Sequence, residues 1–144
     1  MSFAAPRREL DAELTSRLAS WCCEKGARLC VLFGSRATGK AAAGSDWDLA
    51  VWAPPTPPRE RLRWHRELEE LVGAEVHLVL VGPETSPVLG FEVVRDGRVL
   101  FEDDPERWLR ERERLWKLYD DSLPFRRAAR ERLREFARAF RDGT

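Results

Sequence analysis

Two short apolar runs, RLCVLF at 28–33 and DWDLAVWA at 46–53, are joined by only twelve residues. Runs of this length bounded by turn residues read as strands. A parallel pair needs a crossover of a dozen residues or more, usually containing a helix. The connector GSRATGKAAAGS (34–45) is instead small, polar and glycine-bearing. It reads as a loop with room for one helical turn. The two strands are therefore predicted to be antiparallel neighbours.

Around that pair the order is helix, strand, strand, helix, strand, then mostly helices. Leu10, Leu14, Leu18 and Trp21 recur at helical spacing within 8–25, and Gly26 stands where a helix would stop. PPTPP (54–58) is a stiff connector. A helix over 59–72 carries Leu62, Leu68 and Val72 on its wheel and ends at Gly73. AEVHLVLV (74–81) reads as a third strand, 86–95 as a short helix, and DGRVLFE (96–102) as an Asp-Gly turn entering a small strand. A helix at 105–119 gathers Trp108, Leu109, Leu115, Trp116 and Tyr119, and Pro124 opens a last helix to 141. The class predicted is α+β: a small mixed sheet with helices packed on one face and C-terminal helices. Residues 1–104 are expected to form the domain body, and 105–144 a helical extension packed on it.

Composition narrows the function classes. A chain of 144 residues with 43% hydrophobic and 35% charged residues can fold around one core. No apolar run approaches the roughly 18 residues of a spanning helix. MSFAAPRREL lacks the apolar centre of a signal peptide, so a cytoplasmic protein with no membrane contact is expected. Lys+Arg and Asp+Glu balance at 25 each, which argues against a nucleic-acid coat. The balance is uneven, however. Residues 105–144 hold 12 Lys+Arg against 8 Asp+Glu, so the tail is basic and the body acidic. Such a tail reads as either a partner surface or a solvated face. Both terminal helices are amphipathic, which leaves room for a helical partner or a homo-oligomer. Cys22, Cys23 and Cys30 have no framework spacing and read as reduced, mostly buried thiols. Two histidines, His65 and His77, are too few for a His-built zinc site.

The chemistry concentrates at Gly34-Ser35-Arg36 and at Asp46-Trp47-Asp48. Asp46 and Asp48 stand two apart on a predicted strand, so both leave one face. Paired carboxylates beside Leu49, Val51 and Trp52 are costly unless a cation offsets them. Mg²⁺, commonly held by one or two carboxylates plus substrate phosphates, suits that need. Gly34 lets backbone approach a phosphate, Ser35 offers a hydroxyl and an N–H, and Arg36 can fork onto phosphate oxygens. Gly-Ser-Arg alone is a turn in most proteins, and Asp-x-Asp alone is usually a solvated pair. Their conjunction, ten residues apart across two strands, is far more specific. It describes a nucleoside triphosphate site at which the α-phosphorus is attacked and pyrophosphate leaves. Lys40 reads as a solvated loop lysine, and Trp47 and Trp52 as core.

GSRATG…SDWDL resembles the signature of nucleotidyltransferases related to DNA polymerase beta, and the small size resembles their minimal nucleotidyltransferase (MNT) branch. The strand Val76-His77-Leu78-Val79 and residues 86–89 and 91–102 add support, so the likeness covers roughly 10–119. It implies a polymerase-beta-like palm using Mg²⁺ and ATP. Asp46 and Asp48 match its metal ligands, Gly34 and Ser35 its triphosphate-binding pair, and Arg36 a frequent phosphate neighbour. Many members of the branch are antitoxins that transfer AMP to a tyrosine of a separately encoded HEPN-type toxin.

One position departs from the pattern. The superfamily places a third carboxylate on a later strand, and the matching position here is His77. Three readings stay open. Glu75 supplies the carboxylate after a register shift, His77 acts as base or weak ligand, or the site binds nucleotide with little or no turnover. Two rival functions remain beside the antitoxin transferase. One is a protein that silences its partner by covering it, and the other is a transferase for a small hydroxylated molecule such as an aminoglycoside.

Overall fold

The computed structural model describes residues 10–39 and 46–142; Lys40, Gly44 and Ser45 of the connector lie outside them. Its elements run α1 (Ala12–Lys25), β1 (Leu29–Phe33), α2 (Ser35–Thr38), β2 (Trp47–Trp52), α3 (Pro58–Val72), β3 (Val76–Leu80), α4 (Pro87–Asp96), β4 (Arg98–Glu102), α5 (Arg107–Asp121) and α6 (Leu123–Asp142). Local chemistry sets several of these ends. The Asp11 carboxylate accepts the Leu14 N–H at 2.7 Å and starts α1. Pro58 occupies the first turn of α3, where its missing N–H costs nothing.

The sheet order is β3-β2-β1-β4. β1 runs antiparallel to both β2 and β4, while β2 and β3 are parallel. The short connector therefore joins antiparallel neighbours, as its length requires, and the sheet is mixed.

The helices do not keep to one face. Cys30, Leu32, Leu49 and Val51 meet α1 and α3 through Leu14, Leu18, Trp64, Leu68 and Val72. On the opposite face Leu29, Val31, Ala50 and Val79 meet α4 and α5 through Val93 and Leu115. The expectation of helices on one face is corrected accordingly. Two faces need covering because β1 is apolar at every position and is buried throughout.

One further correction concerns a side chain of α3. The core stripe of α3 is Trp64, Leu68 and Val72, and Leu62 points outward at 66% exposure. Of the cysteines, Cys22 and Cys30 are buried but Cys23 is exposed. Burial and a contact with Cys22 push the Cys30 thiol up, the contact contributing most. The C-terminal segment also divides. α5 packs on α4 and buries Leu115, whereas α6 buries none of its residues. Trp47 and Trp52 are core, as read. Among the described residues no helix is long and apolar enough to cross a membrane.

Candidate active site

The site lies at one end of the sheet, where β1 finishes and β2 and β3 begin. Antiparallel register sets Phe33 opposite Asp48, and parallel register sets Asp48 opposite His77. Along β2, Trp47, Leu49 and Val51 point into the α1–α3 layer, so Asp48 points to the other face with Ala50 and Trp52. Asp46 shares that parity and is exposed. On β3, His77 shares the face of Val79. Two carboxylates and an imidazole thus leave the same face of adjacent strands. α4 and α5 pack against that face through Val93 and Leu115.

Gly34 makes the tightest fit. Its backbone sits at φ 73°, ψ −158°, a region open essentially to glycine alone. A Cβ built there would overlap Asp48 Oδ2. The bend therefore brings bare backbone against the carboxylate and turns the chain into α2, whose first residue is Ser35. The opening N–H groups of a helix point out past its N-terminus. The backbone at the start of α2 therefore lies beside Asp48.

Asp48 faces two ways. Oδ2 lies toward Gly34, while Oδ1 accepts a hydrogen bond from His77 Nδ1 at 3.1 Å. Because a carboxylate accepts only, the Nδ1 of His77 carries hydrogen, and the neutral ring keeps its lone pair on Nε2. The side chain of Asp48 is 25% exposed and that of His77 is 61% exposed. Glu75 is exposed one step before β3, on the parity of His77. Its carbonyl accepts the Trp47 N–H at 2.9 Å, which places it beside Asp46.

Arg36 is placed differently. Its guanidinium lies over the Trp47 indole, 5.4 Å from the ring centroid, and that ring leaves β2 on the face away from Asp48. The arrangement ties α2 to the core. The structure thus gathers Gly34, Ser35, Asp46, Asp48 and His77 and sets Arg36 at their back.

The donor chemistry fits a hard cation. Asp46 and Asp48 offer oxygens, and the bare backbone of Gly34 lies against the Asp48 carboxylate. Among the described residues, no three His, Cys, Asp or Glu side chains converge into a closed metal set. A cation held by the aspartates would therefore keep positions for phosphate oxygens and water.

Sequence reading missed a neighbouring cavity of about 500 Å³ between α3 and β3, walled by Leu62, His65, His77 and Leu78 among others. The available signal was the stripe Pro58, Arg61, Leu62 and His65, at helical spacing but off the core stripe of α3.

No curated protein matches the chain. Solved structures do. A toxin–antitoxin with AMP-PNP aligns with a TM-score of 0.73 at 22% identity, covering 83% of this chain and 97% of that one. The toxin–antitoxin MntA-HepT gives 0.70 at 20% identity, over 85% and 98%. The complex of a tri-AMPylated Shewanella oneidensis HEPN toxin with its MNT antitoxin gives 0.67 at 21% identity, over 84% and 96%. At these identities the likeness establishes the fold. The family described as Polymerase beta, Nucleotidyltransferase matches residues 22–106, more than half of the chain and every residue of the site. The chain therefore belongs to the polymerase beta nucleotidyltransferase family.

Proposed function

We propose that the chain is an antitoxin-type nucleotidyltransferase that transfers AMP from ATP to a tyrosine hydroxyl of a HEPN-type toxin. The observation that carries this reading is the two-sided engagement of Asp48. One oxygen faces the backbone bend at Gly34 and the other orients His77. The toxin–antitoxin structures supply the partner class, since one holds AMP-PNP and another an AMPylated HEPN toxin.

Each residue has a separate task. The Gly34–Ser35 backbone and the Ser35 hydroxyl bind the β- and γ-phosphates, with Arg36 bracing α2 from behind. Asp46 and Asp48 would hold Mg²⁺, which when bound neutralises charge on the phosphates. His77 stands where the superfamily carries its third carboxylate, and its Nε2 accepts the proton of the attacking hydroxyl. Asp48 fixes the tautomer that leaves this nitrogen basic and stabilises the imidazolium that forms. The acceptor oxygen bonds to the α-phosphorus as the bond to the β-phosphate breaks, and pyrophosphate leaves on the Gly34 side.

The test uses the chain, its toxin and ATP labelled at the α-phosphate. Label should reach the toxin with the native chain and not with Asp46→Asn plus Asp48→Asn. Transfer by a folded double variant would refute the assignment. A second reading has its own motive, because His77 replaces a carboxylate and occupies one oxygen of Asp48. Neutralisation of the toxin by the double variant at equal stoichiometry, with no modified tyrosine by mass spectrometry, would favour silencing by binding alone.

A further inference from the structure

We propose that α6 pairs with the α6 of a second copy of this chain, the two helices running antiparallel, and that this arm makes the protein a dimer. The inference is independent of the transferase reading and concerns a surface outside the site.

The arm carries a stripe with nothing against it. α6 covers 20 residues, about 30 Å, and none of its residues is buried. Phe125, Leu133, Phe136 and Phe140 are between 68% and 78% exposed. A contiguous apolar surface of this kind marks an interface. Its spacing is that of a two-helix seam. Ala129, Leu133, Phe136 and Phe140 stand four, three and four residues apart, the alternation that turns one narrow face of a helix to a partner helix. The root of the arm is fixed. Arg126 donates from Nη2 to the Tyr119 carbonyl and from Nε to the Ser122 hydroxyl, both at 2.9 Å, with its guanidinium over the Tyr119 ring. The stripe thus extends from a pinned base, and no part of it joins either core cluster.

Size decides what fills the seam. Antiparallel copies aligned so that Leu133 meets the second copy's Phe136 also set Ala129 against the second copy's Phe140. Each of the four layers then joins a large side chain to a smaller one, as interlocking layers require. A parallel pair would stack Phe on Phe twice and Ala on Ala once, overfilling two layers and emptying a third. Charge agrees. α6 holds seven arginines against Glu131, Glu135 and Asp142, so two such arms repel unless their arginines are kept apart. Arg130 and Arg132 are the charges that flank the seam. In the antiparallel alignment the nearest flanking positions across from them are the second copy's Ala137 and Ala139, so neither arginine faces another. Covering both stripes removes on the order of 1,000 Å² from water, the size at which a specific interface begins. The pairing is a closed two-fold and stops at two copies.

Sedimentation equilibrium of the full chain tests this. The mass should approach twice 16.6 kDa as concentration rises and fall toward 16.6 kDa on dilution. Deuterium exchange in α6 should slow as the dimer fills. Phe136→Asp, an exposed change in the single copy, should weaken the pair about a hundredfold or more, because the two-fold repeats it in two layers. Ala129→Phe should also weaken it. Adding Phe140→Ala should restore the pair to within about threefold of native, since the two changes exchange sizes within one layer. A native chain that stays monomeric at the highest soluble concentration overturns the proposal, and so does a dimer that Phe136→Asp leaves intact. A pair that Ala129→Phe weakens and Phe140→Ala fails to restore overturns the antiparallel alignment. A monomeric chain whose toxin binding is lost on Phe136→Asp overturns it in favour of the toxin as the arm's occupant.

Discussion

The two halves of the site are built on unequal foundations. Gly34 and Asp48 stand at the ends of β1 and β2, the central strands, each paired on both sides and covered by a helical layer on both faces. His77 stands on β3, an edge strand whose outer side meets α3. The central half allows backbone and carboxylate to approach so closely that no Cβ fits between them. The edge half leaves an imidazole more than half exposed beside an open cavity. The difference teaches how such a domain divides its tasks. In the proposed reading, phosphate recognition, which tolerates little misplacement, falls to the rigid strands, and the hydroxyl of a second molecule is met at the rim.

Substitutions can sharpen or break this division. The largest loss is expected from Asp46→Asn with Asp48→Asn, which should remove Mg²⁺-dependent nucleotide binding measured by calorimetry while the circular dichroism spectrum stays native. Next, His77→Ala should slow single-turnover AMP transfer about 10²–10⁴-fold. Nucleotide affinity should hold within about twofold. An equal fall in both quantities would mean that the halves are not separate. Gly34→Ala should cost about 1–3 kcal/mol of stability in denaturant unfolding, from backbone strain. It should also weaken nucleotide binding roughly tenfold by pushing Asp48 aside.

The smallest effect belongs far from both halves. Burial alone would raise the Glu67 carboxyl. Hydrogen bonds from the Trp21 indole and the Lys25 ammonium outweigh it and hold the group below the usual carboxylate range. A depressed acid stabilises above its unfolded value and loses that contribution as pH falls through its folded value. The Tm gap between the native chain and Glu67→Gln should therefore be present near pH 7 and close below about pH 4. Neither half of the site should respond.

Legibility followed the same division. The central half could be read because its signal is local: twelve residues between strands, a glycine and serine at one end, alternate aspartates at the other. The third strand and His77 were also legible, through the apolar run around them. The cavity was not, because it depends on how α3 rotates against β3. Leu62 was read onto the core wheel with Leu68 and Val72, and only packing shows that Trp64 stands there in its place. Arg36 shows a different limit. Its position beside the phosphate motif is clear from the sequence, but the cation–π contact that turns it toward Trp47 depends on a face relationship across two strands. The helices on the second face were missed because a fully apolar β1 states that both sides are covered without saying by what.

The last helix has a consequence of its own. α6 runs for 20 residues and buries none of them, while Phe125, Leu133, Phe136 and Phe140 each remain at least two-thirds exposed. Its backbone bonds are thus supported by little besides their own neighbours, and a lone helix of this length is marginal in water. In a single copy its amides should exchange with deuterium at the pace of local fraying, long before those of β1. A protease should trim this end first and leave the sheet intact.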